Sequence, residues 1–192
     1  MNTSLAAQAY FLARALDGPR PRTALLVRAA ALADLVLRGT LSDANGYVEV
    51  RTVKPTGDLL LDDLLTELRP ASWRAVLRHG KNDTLHTLET QLSAAGMLTE
   101  SVSGILRRRV LEPAEEHVHD ARARFTGALT DAVSEVDTSA AVVTVLATAA
   151  GFARPDARRH ADRLTELEAA GGPAIAPLRR AVAGHRTTRL NA

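Results

Sequence analysis

The 192-residue chain is expected to fold as one all-α domain carrying two small β-hairpins, and three observations predict this. Apolar residues recur every three or four positions through most of the sequence, the period of a helix with one buried face. The period falls to two in only two places, 41–53 and 97–111, each containing turn-forming residues. With 46% hydrophobic and 24% charged residues, the composition is that of a globular protein, and a chain of this length can bury a core. The domain is expected to cover 1–192, with frayed ends at 1–3 and 187–192, and no fixed-period repeat points to a solenoid.

Leu5, Leu12 and Leu16 open the helical pattern, with Ser4 placed to cap it and Gly18 to stop it. Asp17 to Arg22 reads as a loop, because Pro19 and Pro21 disfavour helix and hold Arg20 and Arg22 out on an extended backbone. Thr23 then opens a longer helix, with Leu25, Ala29, Leu32, Val36 and Leu37 mostly on one side, ending at Gly39. Next, Tyr47, Glu49 and Arg51 alternate with Val48, Val50 and Thr52 just after Asn45-Gly46. Asn-Gly suits the two positive φ angles of a type I′ turn, so Leu41 to Val53 is expected to be a hairpin.

Helical spacing returns in Leu60, Leu61, Leu64, Leu65 and Leu68, after a Pro55-Thr56-Gly57-Asp58 turn with Asp58 as the cap. A short helix holds Trp73, Val76 and Leu77 at core spacing and ends at Gly80. Another begins at Asp83 or Thr84, turns Leu85, Leu88, Leu92 and Ala95 inward, and ends where Gly96 can adopt a left-handed conformation. The second hairpin, Met97 to Leu111, turns near Ser103-Gly104. The remainder is helical: a stripe of Phe125, Leu129, Val133 and Val136, an apolar helix from Ala140 to Ala153, one marked by Leu164 and Leu167, and a last with Ile175, Leu178 and Val182 stopped by Gly184.

Several functions are disfavoured by composition and pattern. The apolar run Ala140 to Ala153 falls short of the roughly 20 residues that span a bilayer, and Met1 to Leu16 lacks the charge and cleavage pattern of a secretory signal, so a cytoplasmic protein is expected. Absence of cysteine removes thiolate nucleophiles and thiolate metal sites. No nucleophile elbow, glycine-rich phosphate loop or zinc-protease signature is present, so no enzyme activity is expected. Glu115-Glu116-His117-Val118-His119-Asp120 holds metal-ligand types, but two histidines two apart face one way only on an extended backbone, and no metal site is assigned.

The net charge is only +2, yet all of the 24 basic residues except Lys54 and Lys81 are arginines, whose planar fork of donors suits phosphate. Arg28 lies in the first turns of the second helix, shortly after Arg20 and Arg22, so three guanidiniums and free helix N-terminal amides are expected to converge on one anion. Arg107, Arg108 and Arg109 sit on the second hairpin, as a charged edge or a second phosphate contact. A different reading takes Thr23 to Val53 and Thr84 to Leu111 as helix-and-wing units of a DNA-binding regulator. Thr84 to Gly96, however, contains no Lys or Arg to read bases, so no sequence-specific nucleic-acid binding is expected. A protein-interaction scaffold is the other alternative.

Residues 27–41, Val-Arg-Ala-Ala-Ala-Leu-Ala-Asp-Leu-Val-Leu-Arg-Gly-Thr-Leu, followed by Pro55-Thr56-Gly57-Asp58-Leu59-Leu60-Leu61-Asp62, resemble the Golgi phosphoprotein 3 family. The Pro-Thr-Gly-Asp turn before leucines is the most specific mark. Trp73 with Leu77, the Gly96-Met97-Leu98 end of a helix, the apolar helix around Val142 to Ala150 and the last helix, Ala174 to Ala183, are also similar to family segments. The resemblance, placed in the family's bacterial, mainly actinobacterial branch, implies a four-helix core and no chemistry or cofactor. In eukaryotic members it implies recognition of phosphatidylinositol 4-phosphate at the Golgi.

The family's headgroup arginine matches Arg28, its tryptophan position falls at about Pro19, and a later basic pair falls near Asn82 and Leu85, with Lys81 the nearest cation. Its oligomer-forming hairpin corresponds to Ile105 to Leu111. The expectation is therefore a peripheral membrane adaptor that meets anionic lipid headgroups through Arg28, Arg20, Arg22 and Lys81, with cargo proteins or copies of itself as further partners. Arg28 is expected to be unpaired and awaiting a ligand, or paired with Asp34 or Glu49, so Arg28→Ala is expected to cost little stability.

Overall fold

Ser4 accepts the amide hydrogen of Ala7 and starts the first helix, α1 (Leu5–Ala15). The helix ends in a Schellman closure: the Gly18 amide bonds to Ala13 O at 2.8 Å and the Asp17 amide to Arg14 O at 3.2 Å. The left-handed residue there is Asp17 (φ 49), so Gly18 is not needed for its φ. It is needed for space, because a Cβ at Gly18 would lie 1.9 Å from Phe152 Cε1. Gly18→Ala is thus expected to cost about 2 kcal/mol through overpacking, read as a lower urea midpoint at unchanged slope. A change below a few tenths would mean the ring moves aside freely.

The computed structural model describes residues 3–103, 108–152 and 157–187. Of the ends expected to fray, Thr3 accepts a hydrogen bond from Gln8 and Thr187 belongs to the last helix; the other end residues lie outside the described ones. After α1 come α2 (Arg20–Leu37), a hairpin of β1 (Leu41–Ala44) and β2 (Tyr47–Val50), α3 (Leu59–Glu67), α4 (Trp73–Arg78) and α5 (Lys81–Ala94). A second hairpin, β3 (Leu98–Ser103) with β4 (Arg108–Pro113), precedes α6 (Glu115–Thr130), α7 (Thr138–Ala150), α8 (Ala157–Ala170) and α9 (Ile175–Thr187).

The chain is therefore all-α with two antiparallel two-stranded hairpins. Every residue from Thr23 to Leu35 is buried, as is every residue from Ala140 to Ala147. Helices apolar on all sides belong at the centre, and the many alanines let their neighbours approach closely. Helices α1, α2, α6 and α7 form the four-helix core, with α1 and α7 each touching the other three; α5 and α9 also pack on α2.

Several expected bounds are corrected by the structure, among them the apolar helix expected from Ala140 to Ala153, which runs Thr138–Ala150 and closes at left-handed Gly151. The Pro19–Arg22 segment is not a loop: Pro19 is the N-cap of α2 and Pro21 lies in its first turn, where a missing amide hydrogen costs nothing. Helix α5 starts at Lys81 rather than Asp83 or Thr84, because left-handed Gly80 turns the chain directly from α4 into it. Ala95 is exposed at the C-cap instead of inward. The stripe through Val136 is broken, since α6 ends at Thr130 and Val133–Glu135 is a 3-10 turn. Helix α9 runs past Gly184 to Thr187.

The first hairpin matches its turn chemistry, with Asn45 (φ 55) and Gly46 (φ 87) both left-handed and Leu41 opposite Val50. Its strands stop at Val50, short of Val53. Asp58 caps α3 by accepting Leu60 N–H, and Asp62 accepts both the amide and the hydroxyl of Thr56. Those bonds hold the Asp62 carboxyl below the usual carboxylate range. Trp73 is buried as expected, its Nε1 donating to Asp43 at 2.6 Å. In the second hairpin Ser103 is opposite Arg108 and Val102 opposite Arg109; the turn near Gly104 and Arg107 lies outside the described residues.

Candidate functional site

Two charged residues interrupt the buried length of α2, Arg28 at 2% exposure and Asp34 at 5%. A buried charge has to be paired or hydrogen-bonded. Asp34 accepts the Leu5 amide at the start of α1 and the Arg38 Nε at 2.6 Å. Arg28 is paired with neither Asp34 nor Glu49. Its Nε donates to Val76 O at 3.3 Å, in the last turn of α4. Its Nη1 donates to Thr84 Oγ1 at 2.7 Å and, at a longer 3.4 Å, to Glu67 Oε2.

Three elements that follow α2 in the chain thus close around one guanidinium. Gly80 allows it: a Cβ there would sit 3.2 Å from both Arg28 Nη1 and Glu67 Oε2, and its φ of +67 is unfavourable to other residues. The Nη2 group has no hydrogen bond among the described residues. Burial lowers the Arg28 pKa, and Glu67 only partly offsets that effect. A further anion beside this group would therefore be electrostatically favoured.

Arg28 lines two openings. The one of about 150 Å³ between α3 and α5 is acidic, with Asp63, Glu67 and Asp83 in its wall. The other, about 400 Å³ between the end of α3 and α4, is basic: Arg69, Arg78 and His79 line it together with Arg28, against the single carboxylate of Glu67. Arg78 and His79 are exposed. Arg69 is also exposed, and its Nη1 is held by Thr66 O and Leu68 O, both at 2.9 Å, which anchors the side chain at the end of α3. An anion is favoured in the second opening and repelled by the first.

The convergence expected of Arg20, Arg22 and Arg28 does not occur. Arg20 and Arg22 both lie in the first turn of α2 and, two residues apart on a helix, point to different sides. Arg20 reaches α5 and grips both carboxylate oxygens of Glu89 at 2.7 Å. Arg22 donates to Gly151 O at 3.0 Å, at the end of α7. Lys81 opens α5 beside Gly80, and the lining of neither Arg28 opening includes it. Arg108 and Arg109 lie on β4, in a hairpin that packs on α5 through β3, while Arg107 lies outside the described residues.

Five arginines have another use among the described residues. The last carbonyls of a helix lack intrahelical donors, and arginines from elsewhere satisfy them here. Besides Arg22 on α7, Arg122 donates to Ala15 O at the end of α1, and Arg163 to Ala128 O and Asp131 O at the end of α6. Arg69 on α3 and Arg28 on α4 do the same.

His117 lies on α6 and stacks on Phe11, ring centroids 4.9 Å apart. The helix turns His119 away from it, and among the described residues no group of three or more His, Asp or Glu could hold a metal ion. The first helix-and-wing unit is also disfavoured, because α2 is enclosed from Thr23 to Leu35 and offers no free face along that length to a DNA groove. No helix among the described residues is long and apolar enough to cross a membrane. A family model described as Golgi phosphoprotein 3 (GPP34) matches residues 8–184 of the chain, and no curated protein matches it.

Proposed function

We propose, from the premise that the chain belongs to the Golgi phosphoprotein 3 family, that it is a peripheral membrane-binding protein whose Arg28 cleft takes a phosphate-bearing lipid headgroup. The observation that carries this is the buried guanidinium of Arg28, with Nη2 unpartnered among the described residues, beside an open cleft rimmed by Arg69, Arg78 and His79. Arginine meets phosphate through paired donors, and it does so more strongly where water is partly excluded. The long 3.4 Å contact from Glu67, a side chain 47% exposed, marks where an anion already sits near Arg28 and can yield to a stronger one. The role is binding, with no bond made or broken.

Headgroup choice follows from charge and shape more than from a tight cage, since the rim is exposed on one side. Phosphatidylinositol 4-phosphate, the ligand implied by the family resemblance, and simpler anionic lipids are both compatible with this rim. Each basic contact near a charged surface is worth about 1 kcal/mol, so Arg69→Glu with Arg78→Glu is expected to weaken binding to anionic vesicles by more than about thirtyfold. Co-sedimentation with phosphatidylcholine vesicles, with and without phosphatidylserine or phosphatidylinositol 4-phosphate, measures it. Equal recovery on neutral and anionic vesicles, or unchanged recovery of the double variant, would sink the proposal. Binding should also fall as salt rises, because the rim lies open to screening.

A further inference from the structure

Glu67 and Arg28 are the two residues that line both openings, and Glu67 is the single carboxylate in the wall of the basic one. Its contact with Arg28 Nη1, at 3.4 Å, is the one hydrogen bond and ion pair of its side chain among the described residues. That contact is slack. A charge-assisted bond settles at about 2.7 to 2.9 Å. This chain forms such bonds elsewhere: Arg20 holds both oxygens of Glu89 at 2.7 Å, and Arg38 holds Asp34 at 2.6 Å.

Position explains the weak hold on Glu67. It is the last residue of α3, at the negative end of the helix, where a carboxylate is disfavoured. Asp63 lies four residues earlier on the same face, and Asp83 shares the acidic opening with both. The Glu67 side chain is 47% exposed and that of Arg28 only 3%, so the arginine is fixed and the carboxylate is the part that can move. On Arg28, Nε is used by Val76 O and one Nη1 hydrogen by Thr84. The edge left to an anion is Nη1 with Nη2, and a phosphate takes such an edge with two oxygens. One of those oxygens falls where Glu67 now stands.

We propose that Glu67 is a resident competitor in the Arg28 cleft, a carboxylate that holds the place of one phosphate oxygen and has to leave before a phosphate-bearing ligand binds. This rests on the headgroup reading and adds its regulation. Without a ligand the cleft's own anion screens Arg28, and an anion no stronger than a single carboxylate does not replace it. The same charge opposes any incoming anion, so removing it strengthens binding of a lipid headgroup and of free phosphate alike.

Glu67→Gln keeps the size of the side chain and an oxygen for Arg28 but removes the charge. Asp63→Asn, one turn earlier, makes the same change in net charge outside the basic opening and is the control. Partition onto phosphatidylcholine vesicles, plain or carrying phosphatidylserine or phosphatidylinositol 4-phosphate, is measured by sedimentation, and melting temperatures are measured with and without inorganic phosphate. Glu67→Gln is expected to bind anionic vesicles at least about fivefold more tightly than wild type, while Asp63→Asn stays within about twofold because its charge is farther off and screened. Inorganic phosphate is expected to raise the melting temperature of Glu67→Gln more than that of wild type.

If wild type binds anionic vesicles and Glu67→Gln binds them equally or less well, Glu67 is a structural partner of Arg28; the competitor proposal fails and the headgroup reading stands. Equal gains in Glu67→Gln and Asp63→Asn would reduce the effect to net charge and overturn the proposal as well. A gain in inorganic phosphate without one on vesicles keeps the competitor and overturns the lipid as the source of the phosphate. If no variant prefers anionic to neutral vesicles and none responds to phosphate, both fail.

Discussion

Replacing Arg28 with methionine is expected to lower the unfolding free energy by about 3 kcal/mol, or about 6 to 12 °C in the thermal midpoint of a domain this size. The reason is local. Methionine fills much of the same space but gives up the bonds to Val76 O, Thr84 and Glu67. Thr84 keeps its bond to Gly80 O and Glu67 is half in water, so neither is stranded. Val76 O, in the last turn of α4, loses its donor, and the Arg28 hydrogen bonds that tie α2 to α3, α4 and α5 are lost together. This reverses the expectation that Arg28→Ala costs little, which assumed a surface residue. A thermal melt with a urea titration decides it, and a loss under about 1 kcal/mol would mean the side chain is not structurally engaged as found. Because folding and binding both use Arg28, the lipid experiment has to be read through Arg69 and Arg78.

The order of elements was legible in the sequence because caps and turns are local chemistry. Ser4, Asp58 and Asn45-Gly46 act through bonds or φ angles within a few residues, so their meaning survives without the rest of the chain. Pro19 and Pro21 misled because proline signals only that an amide is missing, and both a loop and a first helical turn accept that. From that error came the expected convergence: a loop would let Arg20 and Arg22 meet Arg28, whereas a helix fans them apart.

Arg28 was singled out from its place early in the second helix and from its likeness to the family's headgroup arginine, but its burial was not legible. Its neighbours come from Glu67, Val76 and Thr84, which only the packing of three later helices brings together. Arg78 ends α4 and Arg69 lies just past the end of α3, but nothing in the sequence said that they would rim the cleft beside Arg28.

The second large effect is expected at Arg20 and Glu89, and its form is an asymmetry. Glu89 is 5% exposed and both its oxygens are held by Arg20, whose own side chain is 66% exposed. Cutting the pair from the acid side leaves an arginine that turns into water, and Glu89→Gln keeps a group that can still accept one of its bonds, so the expected loss is about 1 kcal/mol. Cutting it from the basic side leaves a carboxylate enclosed between α2 and α5 without a partner, and Arg20→Ala is expected to cost about 3 kcal/mol. The double variant then costs less than the two single losses added together, because with glutamine at position 89 there is no stranded charge. A double-mutant cycle in urea reads the coupling directly. Equal single losses that add would show that Glu89 is well solvated through the groove lined by Tyr10, Thr23 and His86, and that Arg20 is then free to meet an anion from outside.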